Sequence, residues 1–211
     1  MTSSRITLFG AVALMLILQL PLAGFLVPGA NLSSQVAREG LYWLFTAAVI
    51  GYVCWIEKRP MRSIGLKAAT FKSVGIGAAA AVVMILAMAL IYLVVLPALR
   101  LGTDRDQINT VQALPLWFQG AVFVRAAVFE EIFYRGFVIE RLTELSGRRS
   151  LAALISLGAF TFAHLGYWGW AHLIVVAVVG AILTALYLWR RDLASNMIAH
   201  FLTDAVGFIL A

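Results

Sequence analysis

The sequence predicts an all-α fold, a polytopic bundle of about seven transmembrane helices formed as one domain over residues 1–211. Hydrophobic residues make up 63% of the chain and charged ones only 12%, at a mean hydropathy of +0.95, where a soluble domain of this size is roughly half apolar. The apolar residues gather in runs close to the ~20 residues that cross a ~30 Å hydrocarbon core. None of these runs alternates apolar with polar residues, as the strands of a transmembrane barrel would.

The first run, about 6–27, follows Arg5 and is too long for a secretory apolar core of roughly 7–15 residues, so it reads as a retained first span. Further runs cover about 41–56, 74–97, 114–139, 151–165, 172–189 and 193–211, each read as a helix. Between the second and third, the stretch of about 60–70 reads equally as a loop or as an interfacial helix, since Met61, Ile64 and Ala68 recur at helical spacing among Arg62 and Lys67. Ser146-Gly147-Arg148 marks a helical hairpin between the fourth and fifth. Gly75, Gly77 and Gly180, with alanines nearby, suit close helix packing; no Gly-rich stretch opens a helix after a strand, so none is a phosphate loop. There is no fixed-period repeat and no linker long enough to divide the chain.

The formal charge is +6 and the isoelectric point near 9.9, but the Lys and Arg residues sit in clusters between apolar runs rather than along a polar face. That pattern fits membrane orientation, with the lipid bilayer as partner, and not nucleic-acid binding. With the N-terminus inside, Lys58, Arg59, Arg62, Lys67, Lys72, Arg141, Arg148, Arg149, Arg190 and Arg191 all fall in inner loops. Only Arg38, Arg100 and Arg105 fall outside, partly balanced by Glu39, Asp104 and Asp106, which predicts N-in and C-out. Cys54 is the only cysteine, so no disulfide framework exists.

Charged residues inside an apolar span mark a functional centre by default, because burial costs a few kcal/mol unless they pair or face a polar cavity. Phe129-Glu130-Glu131-Ile132-Phe133-Tyr134-Arg135 is the densest such stretch. Consecutive helical residues point about 100° apart, so the two glutamates cannot serve one site equally. Glu131 has Arg135 four residues on, the order that favours a Glu–Arg pair along one face. Glu130 is left without a local partner and is the candidate general base or acid. His164 is about as far after the predicted hairpin turn as the glutamates are before it, which sets it opposite them. His200 and Asp204, four residues apart, share one face of the last span and line a cavity there. His172 sits with Tyr167, Trp168 and Trp170 at the outer border, where aromatic belts are ordinary, and gets no catalytic role. Arg125 either snorkels outward or pairs with a carboxylate.

Glu130-Glu131-x-x-x-Arg135, Phe160-x-x-x-His164 and His200-x-x-x-Asp204, in this order on successive spans, resemble the CPBP family of intramembrane endopeptidases. That family includes type II CAAX prenyl proteases and bacterial relatives linked to bacteriocin immunity. Gly180-x-x-x-Thr184-Ala185-Leu186-Tyr187 and the Arg190-Arg191-Asp192-Leu193 turn look like the same pattern, and the resemblance covers about 114–211 as a catalytic core. It implies hydrolysis of a peptide bond in a membrane-associated protein or peptide, with Glu130 and His164 activating water, His200 and Asp204 stabilising the oxyanion, and Glu131 and Arg135 in structural support. The prenyl proteases carry Asn where this chain has Asp204, and an ionised carboxylate can only accept a hydrogen bond. Asp204 must then be protonated, orient His200, or hold a metal. The family has been called metalloproteases, and Glu130, His164, His200 and Asp204 form a ligand set suited to zinc or another divalent ion. They lack the H-E-x-x-H pattern, and the reading expects no cofactor.

Two other classes compete. A non-catalytic membrane partner, acting in bacteriocin immunity or on a sensor kinase, would retain the fold but is under no demand to keep every motif. A proton-coupled transporter would use Glu, His and Asp as a relay, but the chain shows no inverted repeat or paired broken helices. A bacterial inner membrane is the expected location.

Overall fold

A computed structural model describes residues 3–29, 31–102 and 106–210 of the chain. All regular structure among the described residues is helical. In chain order the helices are α1 (Ser3–Leu18), α2 (Leu22–Leu26), α3 (Leu32–Gly51, prolonged by a π turn Tyr52–Ile56), α4 (Phe71–Leu90, prolonged by a π turn Ile91–Val95), α5 (Leu96–Ala98) and α6 (Asp106–Gln112). They are followed by α7 (Leu116–Glu130), a π-helical stretch Glu131–Val138, α8 (Ile139–Ser146), α9 (Arg149–Ala163), α10 (Leu165–Arg190) and α11 (Leu193–Leu210).

Three described stretches are long and apolar enough to cross a membrane: Leu32–Ile56, Phe71–Ala98 and Gly169–Arg190. The continuous rod from α7 through α8 has the length, but it carries Arg125, Glu130, Glu131 and Arg135. α9 is apolar and short. The expected first span is broken, because the chain turns at Gln19–Pro21 and Pro21 has no N–H to continue the α1 ladder. α3 begins about two and a half turns earlier than the apolar run suggested, so Glu39 lies inside a helix and not in an outer loop. Asp104 and Arg105 fall outside the described residues. Of the 60–70 segment only a 3₁₀ turn, Met61–Ile64, is helical, and it tucks inward with Ile64 fully buried.

The two predicted turns are present. Gly147 (φ 68°) ends α8 before α9 starts, and Arg191 (φ 45°) ends α10 before α11. Asp192 caps α11: its Oδ1 accepts from the Ala194 N–H at 3.2 Å and its Oδ2 from the Ser195 and Ser73 hydroxyls, each at 2.8 Å. The Ser73 bond ties α11 to the start of α4, along which it packs most extensively. At that crossing a Cβ on Gly77 would meet the Ser195 carbonyl oxygen at 2.7 Å, and where α10 packs on α9 one on Gly180 would meet the Phe160 ring at 2.9 Å. Both glycines let helices approach closely, as expected; Gly75 has no neighbour within 4 Å and does not.

The predicted basic loops converge on one end of the bundle through ion pairs. Arg141 grips Glu57 with Nε and Nη2, Arg59 pairs with Glu144, and Glu140 receives Arg149, Arg191 and the Tyr187 hydroxyl. Phe129, Phe133, Phe137 and Phe160 form part of a core that reaches from these pairs toward the charged centre of the bundle.

Candidate active site

Glu131 lies at the junction of α7 with the π-helical stretch and is completely buried. Its Oε1 accepts from Arg135 Nη1 and from His200 Nδ1, both at 2.9 Å, and its Oε2 accepts from Asn196 Nδ2 at 3.0 Å. Arg135, 1% exposed, also donates to the Gly180 carbonyl at 3.2 Å and lies 4.1 Å over the Phe160 ring. A buried carboxylate with three donors, one a guanidinium, satisfies the conditions under which a buried ion pair holds. The expected Glu131–Arg135 pair is therefore present, and Glu131 also orients His200.

Glu130 faces the other way, as the 100° step requires. Its Oε2 stands 3.9 Å from His164 Nε2 and 3.8 Å from His200 Nε2. His164 occupies the joint between α9 and α10, on the level read from the hairpin. Its Nδ1 bonds the Phe160 carbonyl at 2.7 Å; a carbonyl only accepts, so Nδ1 carries the proton and Nε2 presents a lone pair. His200, on α11, is fixed the same way through Nδ1, by Glu131. Its Nε2 is 3.5 Å from Asp204 Oδ2, too far for a strong hydrogen bond. Four predicted side chains, Glu130, His164, His200 and Asp204, thus converge on one small space, with Nε2 of both imidazoles turned into it.

Glu130 is not unpartnered. Arg125 Nη1 lies 3.6 Å from its Oε1, while Nε and Nη2 of the same guanidinium bind Glu39 at 2.7 and 2.9 Å. Of the two options open for Arg125, pairing is the one the structure adopts. Sequence reasoning also missed Asn196, though a polar residue one turn before His200 on an apolar helix was a readable signal. His172 stands apart, with Nδ1 2.8 Å from the Tyr92 hydroxyl; the side chains of Tyr167 and Trp168 are outside the described residues.

Among the described residues no group of three or more His, Cys, Asp or Glu side chains is arranged to hold a metal ion. Glu130, His164, His200 and Asp204 do not form a ready ligand cage.

Residues 112–206 match the model of a protein family described as Type II CAAX prenyl endopeptidase Rce1-like. The match bears out the resemblance carried by the three motifs and contains all of them. No curated protein and no solved structure matches the chain.

Proposed function

We propose that this chain, whose residues 112–206 are of the Rce1-like peptidase type, is an intramembrane endopeptidase that hydrolyses a peptide bond of a membrane-associated protein or peptide without a metal. The observation that carries the reading is the facing of Glu130 Oε2 by two imidazole Nε2 atoms at 3.8 and 3.9 Å. His164 Nε2 and an ionised Glu130 are both acceptors, so the space between them suits a donor that both can bind. Water is that donor.

In this mechanism Glu130 takes a proton from the water as its oxygen attacks the scissile carbonyl carbon, and His164 Nε2 holds the second hydrogen. The carbonyl oxygen becomes the oxyanion and is met by His200 Nε2–H, with the Asp204 carboxyl beside it. Glu130 then returns its proton to the leaving nitrogen as the C–N bond breaks. Glu39, Glu130, Glu131 and Asp204 outnumber Arg125 and Arg135, and an apolar surround favours neutrality, so in this mechanism His200 and Asp204 each carry one extra proton. The 3.5 Å gap between those two leaves both free to face the oxyanion.

The whole chain acts here as one integral membrane unit of seven spans, the first of them broken at Gln19–Pro21, with the N-terminus in and the C-terminus out, in a bacterial inner membrane. The convergence of the basic loops at one end supports their sharing a side. Purified protein assayed against membrane-anchored peptides in detergent is expected to cleave a subset. Failure on a broad library, with the protein folded, would leave a non-catalytic membrane partner as the better reading.

Dialysis against a strong chelator is expected to leave turnover unchanged, with no stoichiometric zinc by elemental analysis. Loss restored by added Zn²⁺ would overturn the metal-free mechanism. Asp204→Asn supplies a permanent donor of similar shape and is expected to keep activity, whereas Asp204→Ala should cost roughly 10²-fold or more in kcat. Equal, severe losses in both would show that the carboxylate itself is needed.

A further inference from the structure

We propose that Arg125 is a positioning residue for Glu130, clamped in place by Glu39, so that a helix outside the family-matched stretch helps to set the reacting carboxylate. This rests on the reading above that Glu130 activates the water. Arg125 and Glu130 are five residues apart on α7 and so do not share a helix face; only the length of the arginine brings them together. The guanidinium is buried, and each of its nitrogens has a defined direction. Nε and Nη2 hold both oxygens of Glu39 at 2.7 and 2.9 Å, its carbon lies 4.4 Å over the Tyr42 ring, and Nη1 is left pointing at Glu130 Oε1 at 3.6 Å.

A structural ion pair would need only Glu39 and Arg125. The third nitrogen adds attraction on one oxygen of Glu130 at a distance too long to cap it, which keeps Oε2 turned toward His164 and His200. Glu39 is what holds the guanidinium at that distance. A two-point grip on a planar fork fixes direction as well as charge, which a lysine cannot reproduce. The other charged or titratable groups around Glu130 are Glu39 and Tyr42 from α3, His164 from the α9–α10 joint, His200 and Asp204 from α11, and Glu131 and Tyr134 from the π-helical stretch. Arg125 is the only arginine or lysine among the described residues that forms an ion pair with Glu130.

The test uses the full chain in detergent, the membrane-anchored peptide it cleaves, and melting temperature beside kcat and KM. Arg125→Gln and Arg125→Lys are both expected to lower kcat by about tenfold or more, with KM within about twofold, at temperatures where each is folded. Exchange of the pair, Glu39→Arg with Arg125→Glu, is expected to recover melting temperature without recovering kcat. Parent-like kcat in Arg125→Lys, or an exchange that restores kcat along with stability, would overturn the proposal. If the parent cleaves no peptide the proposed function falls, and the clamp is judged by melting alone. Arg125→Gln and Glu130→Gln should then shift the melting temperature non-additively, and strict additivity would reject it.

Discussion

Glu130→Gln is expected to abolish peptide hydrolysis while leaving the protein folded. The amide matches the carboxylate in shape, but it cannot accept the proton of the attacking water, and general-base catalysis contributes ~10²–10⁴-fold. The structure makes the stability half of this prediction unusually clean. Glu130 meets Arg125, His164 and His200 only at 3.6, 3.9 and 3.8 Å, so no short hydrogen bond is lost on substitution. Turnover of a cleaved peptide and thermal unfolding in the same detergent would be measured together. Near-parent turnover in a well-folded variant would remove Glu130 from the mechanism.

Glu131→Gln should behave in the opposite manner, with stability and activity failing together. Glu131 is the common acceptor for Arg135, His200 and Asn196, all of them buried. Removing the negative charge leaves the Arg135 guanidinium buried without its counter-charge, a defect that costs about 3–5 kcal/mol. An amide at this place also turns a donor toward groups that are themselves donors. His200 then loses the bond that directs its Nε2 into the site. A melting temperature equal to the parent's would show that the buried pair does not hold the bundle together.

Much of the site was legible because it obeys helical periodicity. The His200–Asp204 stripe and the level of His164 follow from 3.6 residues per turn and one hairpin turn at Gly147, and the four-residue spacing of Glu131 and Arg135 keeps them on one face although the chain there winds as a π-helix. What escaped was set by tertiary contact. Glu39 lay before the apolar run that marked the second span, and hydropathy alone could not extend a helix through Arg38 and Glu39. Its partner Arg125 is too far from Glu130 in helical phase to be paired by spacing rules. The break at Pro21 was a local signal overridden by the length of the apolar run. For the 60–70 segment, the apolar spacing that allowed an interfacial helix serves a tucked turn instead, with Ile64 beneath Gly136, whose missing side chain admits the Ile64 carbonyl at 2.8 Å from where a Cβ would stand.

The π-helical stretch Glu131–Val138 gives the long rod between α7 and α8 a property that neither end has by itself. Bonds closing from i to i+5 take in one residue more than those of an α-helix, so the rod carries surplus length between its two halves. One half presents Glu130 and Glu131 to the centre; the other presents Glu140 and Arg141 to the ion pairs at the basic end. The two halves work like wards cut at different angles on one key. The stretch absorbs that residue by turning less far per residue, so a single-residue deletion at 136–138 that restored plain α-helix would take up the slack and leave Arg141 facing Glu57. The same deletion in the plain α-helix of α7, between Arg125 and Glu130, would turn one side of the rod against the other by about 100° while every motif residue remained in the sequence. Deletions should therefore be tolerated better within the π-helical stretch than beside it.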